Sequence, residues 1–105
     1  MASGARKAAH TALVKMQRSG GYSNLVLDAQ LNSIALDKKD ISLASAIFYG
    51  VIERMYTLDF IIRRYAGKRA DKLPFSVINA LRVGTYQILY MDKIPAHAAV
   101  SETVE

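Results

Sequence analysis

The stretch that decides the fold is ASAIFYGVIERMYTLDFIIRRY, residues 44–65. Its apolar side chains recur at alternating steps of four and three residues, which is the spacing of a helix face that packs against other helices. The members of this seam are Ala44, Phe48, Val51, Met55, Leu58, Ile62 and Tyr65. One helix of roughly 25 residues would satisfy the pattern. We favour two consecutive helices with a bend near Tyr56, because Thr57 can cap a helix and Asp59 would then lie in its first turn.

Helical spacing continues on both sides of the seam, and no strand-like alternation persists anywhere. Serine, asparagine and aspartate are common N-terminal caps, and glycine is common just after a helix. The boundaries predicted before the seam are Ser3 to Gly20 or Gly21, Ser23 or Asn24 to about Ala35, and a third helix capped by Asp37.

The segment after the seam is expected to hold a central helix. Gly67 should end the seam, and residues 68–72 should form a polar basic loop. Pro74 fits the first turn of the next helix, which is predicted to run to about Met91. That helix is apolar on nearly every side, which is typical of an enclosed element, and Gly84 would mark the close approach of a neighbour.

Pro95 breaks the chain, and a last, short helix follows from about His97 without a C-terminal cap before Glu105. The fold predicted is all-α: one domain, residues 1–105, forming a helical bundle of about five to six helices whose C-terminal helix is incomplete. We therefore expect the chain to be a fragment of a longer protein, and the apolar surface left uncovered to be exposed or to form a homodimer.

Composition excludes several classes of protein. A chain that is 51% hydrophobic and 22% charged is expected to fold. The absence of cysteine excludes disulfides and thiolate metal sites, and the N-terminus lacks the apolar core of a secretion signal, so a cytoplasmic location is expected. Residues 75–91 carry Arg82 as their one charge, but polar side chains interrupt them, which favours a buried helix over a membrane span.

Catalytic patterns are absent from the sequence. His10 and His97 lie on different predicted helices without metal-ligand spacing, and there is no glycine-rich phosphate loop. We interpret His97 as a capping or packing residue rather than a general base. The sequence predicts no catalytic, cofactor-binding or metal-binding residue within the chain.

The first helix carries a one-sided basic face. At 100° per residue, Lys7, Thr11, Lys15 and Arg18 fall within about 80° of one another, opposite the alanine-rich side, with Arg6 and His10 beside them. No acid occurs from Met1 to Leu27, and the chain as a whole has a net charge of +5. Such a face can lie along a phosphate backbone, although a solvated charged face is the alternative.

Two further sets of residues extend this hypothesis. Lys68, Arg69 and Lys72 would add a second basic patch if the fold brings them near the first. The six tyrosines can stack on unpaired bases where they are exposed. Their spacing favours packing in the core for most of them. Tyr22, in the turn beside the basic helix, is the exception and the first to test.

Four groups of residues, taken together, resemble the NusB-like domain, which occurs in the antitermination factor NusB and at the N-terminus of the RsmB (Sun/Fmu) ribosomal RNA cytosine-5 methyltransferases. They are GYSNL at 21–25, FYGV at 48–51 with TLDFII at 57–62, ALRVGTYQIL at 80–89, and IPAHAAVSE at 94–102. The first and last of these are similar to the methyltransferase branch.

The resemblance implies an accessory domain that binds RNA, with small-subunit ribosomal RNA as the partner and Arg6, Lys7, Lys15 and Arg18 as the surface. It also implies that S-adenosylmethionine and the catalytic cysteines belong to a methyltransferase domain that this chain lacks. The alternative is a NusB-type antitermination or protein-interaction module. Arg82 matches the family's Leu-Arg-x-Gly pattern, and we interpret it as a structural ion pair with Asp59 or Glu53, because an unpaired buried charge is costly.

Overall fold

The computed structural model describes residues 3–21 and 23–91, and within them the chain forms α-helices and no strand. The predicted all-α class is confirmed. The helices are α1 (Ser3–Ser19), α2 (Ser23–Asn32), α3 (Lys38–Glu53), α4 (Met55–Ala66) and α5 (Phe75–Tyr86), with a 3₁₀ segment (Gly67–Lys72) after α4 and a π-helical segment (Gln87–Met91) after α5. The predicted last helix lies outside the described residues.

Local side chains explain most of the helix ends. Gly20 follows α1 with a φ of 67°, and its N–H donates to the carbonyl of Met16 at 2.8 Å. The Asp37 carboxylate caps α3 by accepting from the Asp40 N–H at 2.8 Å, as predicted. α2 ends at Asn32 and not at Ala35, and just beyond that end the hydroxyl of Ser33 donates to the Gln30 carbonyl at 2.7 Å.

The seam is two helices, as predicted, but the break is at Arg54 and not at a cap formed by Thr57. Arg54 has φ −110° and ψ 16°, while its N–H still bonds to the Gly50 carbonyl. α4 therefore begins without a side-chain cap, and Thr57 lies inside it. The bend leaves Val51 and Leu58, one on each helix, without exposed surface.

The core forms around α1, which packs against α2, α3 and α5. Its inward face is made of small side chains, so neighbouring helices can approach closely. Larger side chains from α2, α3 and α4 fill the space around it. The members without exposed surface are Ala5, Ala9, Ala12, Leu13, Ala44, Ile47, Phe48, Val51 and Leu58.

The predictions for α5 need correction. It contacts α1, α3 and α4, but it is not enclosed, since Val77 and Leu81 are each about two-fifths exposed. No atom of the described residues lies within 4 Å of a Cβ atom built at Gly84, so residues 3–21 and 23–91 do not make the predicted close approach there. A close approach does occur at Gly50 of α3, where an added Cβ atom would overlap the ring of Tyr86.

Among residues 3–21 and 23–91, no helix is long and apolar enough to cross a bilayer.

Candidate nucleic-acid interface

α1 separates its small apolar side chains from its cations. Four alanines and Leu13 face the core, whereas Arg6, Lys7, Lys15 and Arg18 are exposed on the rest of the helix. Among the residues that the structure describes, none of these four forms an ion pair with an acid. The predicted basic face is therefore available to an external anion.

Lys15 is held in place by α2. Its ammonium group donates to Gln30 Oε1 at 3.0 Å, and Gln30 is buried. Since an ammonium group has three protons, the bond to a neutral amide leaves its charge and two donors for solvent or a phosphate. Gln30 thus positions this cation without neutralising it.

His10, beside the basic face, ties α1 to α5. Its Nε2 lies 2.7 Å from the carbonyl oxygen of Ser76. Because a carbonyl oxygen can only accept, Nε2 is the donor in this bond. His10 therefore holds the start of α5 against α1, which is a structural task.

Lys7 lines two open cavities, one on each side of its position on α1. One, of about 320 Å³, lies toward α5, and the other, of about 290 Å³, lies toward the end of α2. The first is lined by Arg6, Lys7, His10, Ala80, Val83, Gly84 and Gln87. The second is lined by Gly4, Lys7, Ala8, Thr11, Gln30, Ile34 and Leu36. A polyanion that lies along α1 would therefore contact Lys7 whichever of the two cavities it occupies.

The second basic patch lies on the 3₁₀ segment. Lys68 and Arg69 are exposed there, and the segment packs mainly against α4. Arg63 of α4 forms an exposed ion pair with Asp71 of this segment. A cavity of about 200 Å³ is bordered by Gln17 of α1 and by Asp71, but neither Lys68 nor Arg69 lines it. The two patches therefore lie on different elements.

The tyrosines are distributed differently from the prediction. Tyr86 and Tyr90 pack against the core, stacked with their ring centroids 5.4 Å apart. Tyr56 and Tyr65, however, are 93% and 88% exposed, so the prediction that they are packed is wrong. Tyr65 continues the seam in sequence, but it lies in the last turn of α4, where no described element covers it. Tyr22 lies outside the described residues.

Arg82 forms the ion pair predicted for it, and its partner is Asp59. Its Nε and Nη2 donate to the two carboxylate oxygens at 2.8 and 2.9 Å, a bidentate arrangement. Its Nη1 donates to Asn79 Oδ1 at 3.0 Å and reaches Gln17 Oε1 at 3.5 Å. Asn79 in turn donates to Gln17 Oε1 at 2.7 Å. The guanidinium is thus a structural link among α1, α4 and α5.

Sequence reasoning missed Gln17 and Asn79. In the sequence, Gln17 and Asn79 cannot be told from ordinary solvent-exposed amides. Only the folded structure brings them next to Arg82. The described part of the chain also holds no group of three His, Asp or Glu side chains placed as metal ligands would be.

Comparison with known proteins agrees with this architecture. Residues 3–105 match the model of the NusB family. No solved structure matches the chain.

Similar proteins include ribosomal RNA methyltransferases. The probable ribosomal RNA small subunit methyltransferase B of Bacillus subtilis is 34% identical over 100 residues, which cover 95% of this chain and 22% of that protein. The putative methyltransferase Rv1407 of Mycobacterium tuberculosis is 36% identical over 101 residues, covering 96% of this chain and 22% of that protein. This chain therefore spans about a fifth of the length of these relatives.

The other branch is represented as well. The transcription antitermination protein NusB of Ruminiclostridium cellulolyticum is 36% identical over 80 residues, covering 75% of this chain and 55% of that protein. The fold, the match over residues 3–105 and these relatives lead to one conclusion. The chain belongs to the NusB family.

Proposed function

We propose that this chain is an RNA-binding accessory domain of a small-subunit ribosomal RNA (cytosine-5) methyltransferase, and that α1 is its binding surface. The observation that carries the proposal is the exposed row of cations on α1, without an acidic partner among the described residues. The Bacillus subtilis relative supports the substrate class, since its name describes a methyltransferase of small-subunit ribosomal RNA.

The chemistry of methyl transfer is assigned to another part of the longer protein. Nucleotide-like cofactors in α/β domains bind at the carboxyl ends of parallel strands, next to a glycine-rich turn. The part of this chain that the structure describes has helices and no strand, and the chain covers about a fifth of the methyltransferases to which it is similar. We therefore assign S-adenosylmethionine and methyl transfer to the rest of the longer protein, and RNA binding to this domain.

Phosphate contacts explain how α1 would hold it. Each cation that neutralises a phosphate releases counterions, so the affinity falls with salt by a log–log slope of about 0.7 per contact for single strands and about 0.9 for duplexes. Such contacts position RNA without selecting a sequence. Sequence preference would come from another surface or another domain.

The test is a salt series with a fragment of small-subunit ribosomal RNA. The Lys7→Glu/Lys15→Glu variant should lower the affinity at least tenfold at low salt and reduce the slope by about 1 to 2, as expected for two lost phosphate contacts. The matched control is Lys38→Glu/Lys39→Glu, the same charge change in the first turn of α3.

Three results would refute the RNA role: no binding by the unmodified chain at low salt, no effect of the α1 charge reversal, or an equal effect of the α3 control. Circular dichroism and urea unfolding of each variant verify that the fold is retained. The control is safe in this respect, because acids in the first turn of a helix are favourable.

A specific observation favours the second candidate, a NusB-type protein-interaction module. Val77, Leu81 and Ile88 are exposed along one side of α5 and its π-helical extension, as a partner-binding surface would be. This candidate predicts weak RNA binding that does not depend on salt. Sedimentation of the chain alone would show whether a second copy covers this side.

A further inference from the structure

We infer that the outer face of α4 is a second RNA-binding surface, which holds unpaired bases by stacking on Tyr56 and Phe60. This face, the α4 surface, comprises Tyr56, Phe60, Arg63 and Arg64. The inference rests on the proposed function, since it assumes that RNA is the partner, and it adds a class of substrate: single-stranded rather than duplex RNA.

The aromatic rings form one exposed face. Tyr56, Phe60 and Arg63 follow one another at steps of four and three residues, so they share one side of α4. Tyr56 is 93% exposed and Phe60 63%. Together with Met55 and Asp59 they line an open depression of about 490 Å³. Two large rings beside an open depression offer flat faces on which bases can stack.

The charges around these rings are positive. Residues 60–72 contain five Lys and Arg against Asp71 as the one acid. Asp59, which lines the depression, is engaged by Arg82, and Asp71 is engaged by Arg63. Glu53, before the start of α4, is exposed and forms no ion pair with a described residue. Within residues 60–72, all of which the structure describes, the cations left without an acidic partner are Arg64, Lys68, Arg69 and Lys72. Phosphates that follow stacked bases would find their counter-charges here.

The spacing of the rings favours a single strand. Four residues along a helix correspond to a rise of about 6 Å, whereas successive bases in one strand of a duplex are about 3.4 Å apart. Bases that sit on both rings must therefore be pulled apart from each other. An unpaired, stretched strand permits this, and a duplex does not.

A protein partner is the competing occupant, and the charge argues against it. The buried centre of a protein interface is depleted of lysine, aspartate and glutamate, although aromatic residues and arginine are enriched there. Here Arg64 on α4 and Lys68 and Lys72 on the adjoining 3₁₀ segment have no acidic partner among the described residues. Exposed aromatic residues next to such cations are the combination used by proteins that bind single-stranded nucleic acid.

The experiment compares a 12-nucleotide oligouridine with a 12-base-pair RNA duplex, each labelled with fluorescein and followed by anisotropy. Tyr56→Ala/Phe60→Ala should weaken oligouridine binding at least tenfold with little change in salt slope, and should leave duplex binding within twofold. Tyr65→Ala is the matched control, because Tyr65 is 88% exposed but lies half a turn away, on the other side of α4. It should bind oligouridine within twofold of the unmodified chain.

Tyr56→Phe with Phe60 retained should preserve binding, because stacking needs the ring and not the hydroxyl. Oligouridine binding by Tyr56→Ala/Phe60→Ala within twofold of the unmodified chain overturns the inference, as does an equal loss for duplex and oligouridine. If the double variant leaves RNA binding intact but destabilises the longer parent protein, the face packs against protein and the inference is wrong.

The failure of this inference is distinguishable from the failure of the proposed function. If the unmodified chain binds neither RNA at low salt, both fall together. If Lys7→Glu/Lys15→Glu weakens binding while Tyr56→Ala/Phe60→Ala does not, the role of α1 stands and the inference about α4 alone is overturned.

Discussion

α1 and α4 both display cations, but they differ in what accompanies them. On α1 the cations lie opposite a face of buried alanines, and Arg6, Lys7, Lys15 and Arg18 have no exposed aromatic side chain between them on the helix. On α4 the cations stand beside Tyr56 and Phe60, whose rings are open to solvent. The first arrangement can bind phosphate alone, and the second can bind phosphate and base.

This contrast shows how one small bundle can offer two kinds of contact with RNA. Phosphate contacts are insensitive to base pairing, because the backbone is present in single strands and duplexes alike. Stacking requires unpaired bases. A domain with both surfaces would recognise a junction between duplex and single-stranded RNA better than either form alone.

The largest effect is expected from breaking the link between the two helices. Arg82→Met leaves Asp59, Asn79 and Gln17 without their shared donor. Removing one member of a buried ion pair costs about 3–5 kcal/mol, and because Asp59 is partly exposed we expect about 2–4 kcal/mol of unfolding free energy here. Urea denaturation measures it. Arg63→Gln, which breaks an exposed ion pair, should cost less than about 1 kcal/mol. Equal losses in the two variants would contradict the structural role of Arg82.

A somewhat smaller effect is expected from enlarging the inward face of α1. Ala9 has no exposed surface, so Ala9→Leu must push neighbouring helices apart, at a cost of about 1–3 kcal/mol. The control is the same change at Ala46, which is exposed on α3 and should be within about 0.5 kcal/mol of the unmodified chain. Thermal or urea unfolding decides between them. If Ala9→Leu proved neutral, α1 would not be the packed centre of the bundle.

The smallest effect is expected on α4. Tyr56→Ala should change the unfolding free energy by no more than about 0.5 kcal/mol, because the ring makes little contact with the protein. The measurement is again urea unfolding, in parallel with Tyr65→Ala. A loss above about 1 kcal/mol would show that Tyr56 packs against the protein, and would remove it from the proposed stacking surface.

Much of the fold could be predicted from the sequence because local chemistry encodes it. The Asp37 cap, the glycine after α1 and the four-and-three spacing of residues 44–62 each have a cause within a few residues. Arg82 could be assigned a partner in advance because a lone charge on an apolar helix requires one. All of these predictions depend on one residue and its near neighbours.

The remainder depends on how helices meet. Gly50 and Gly84 look alike in sequence, and only the position of Tyr86 makes one of them a point of close approach. Tyr56 and Tyr65 were expected to be packed with most of the other tyrosines. Leu58 on the same helix is fully buried, but no described element covers these two rings. The exposed basic face of α1 was predictable, because charge and helical period suffice. The exposed rings of α4 were not predictable, because exposure there is a property of the assembled bundle.

Under the proposed function, the Arg82 contacts have a consequence for the length of an RNA that engages both surfaces. One guanidinium group contacts Asp59 on α4 and Gln17 on α1, so the separation between the two surfaces is fixed by the fold. An RNA that engages both must therefore exceed a threshold number of nucleotides. Below it, affinity would reflect a single surface, and above it the second contact becomes intramolecular and avidity rises. The bundle would then bind RNAs above a minimum length more tightly than shorter ones.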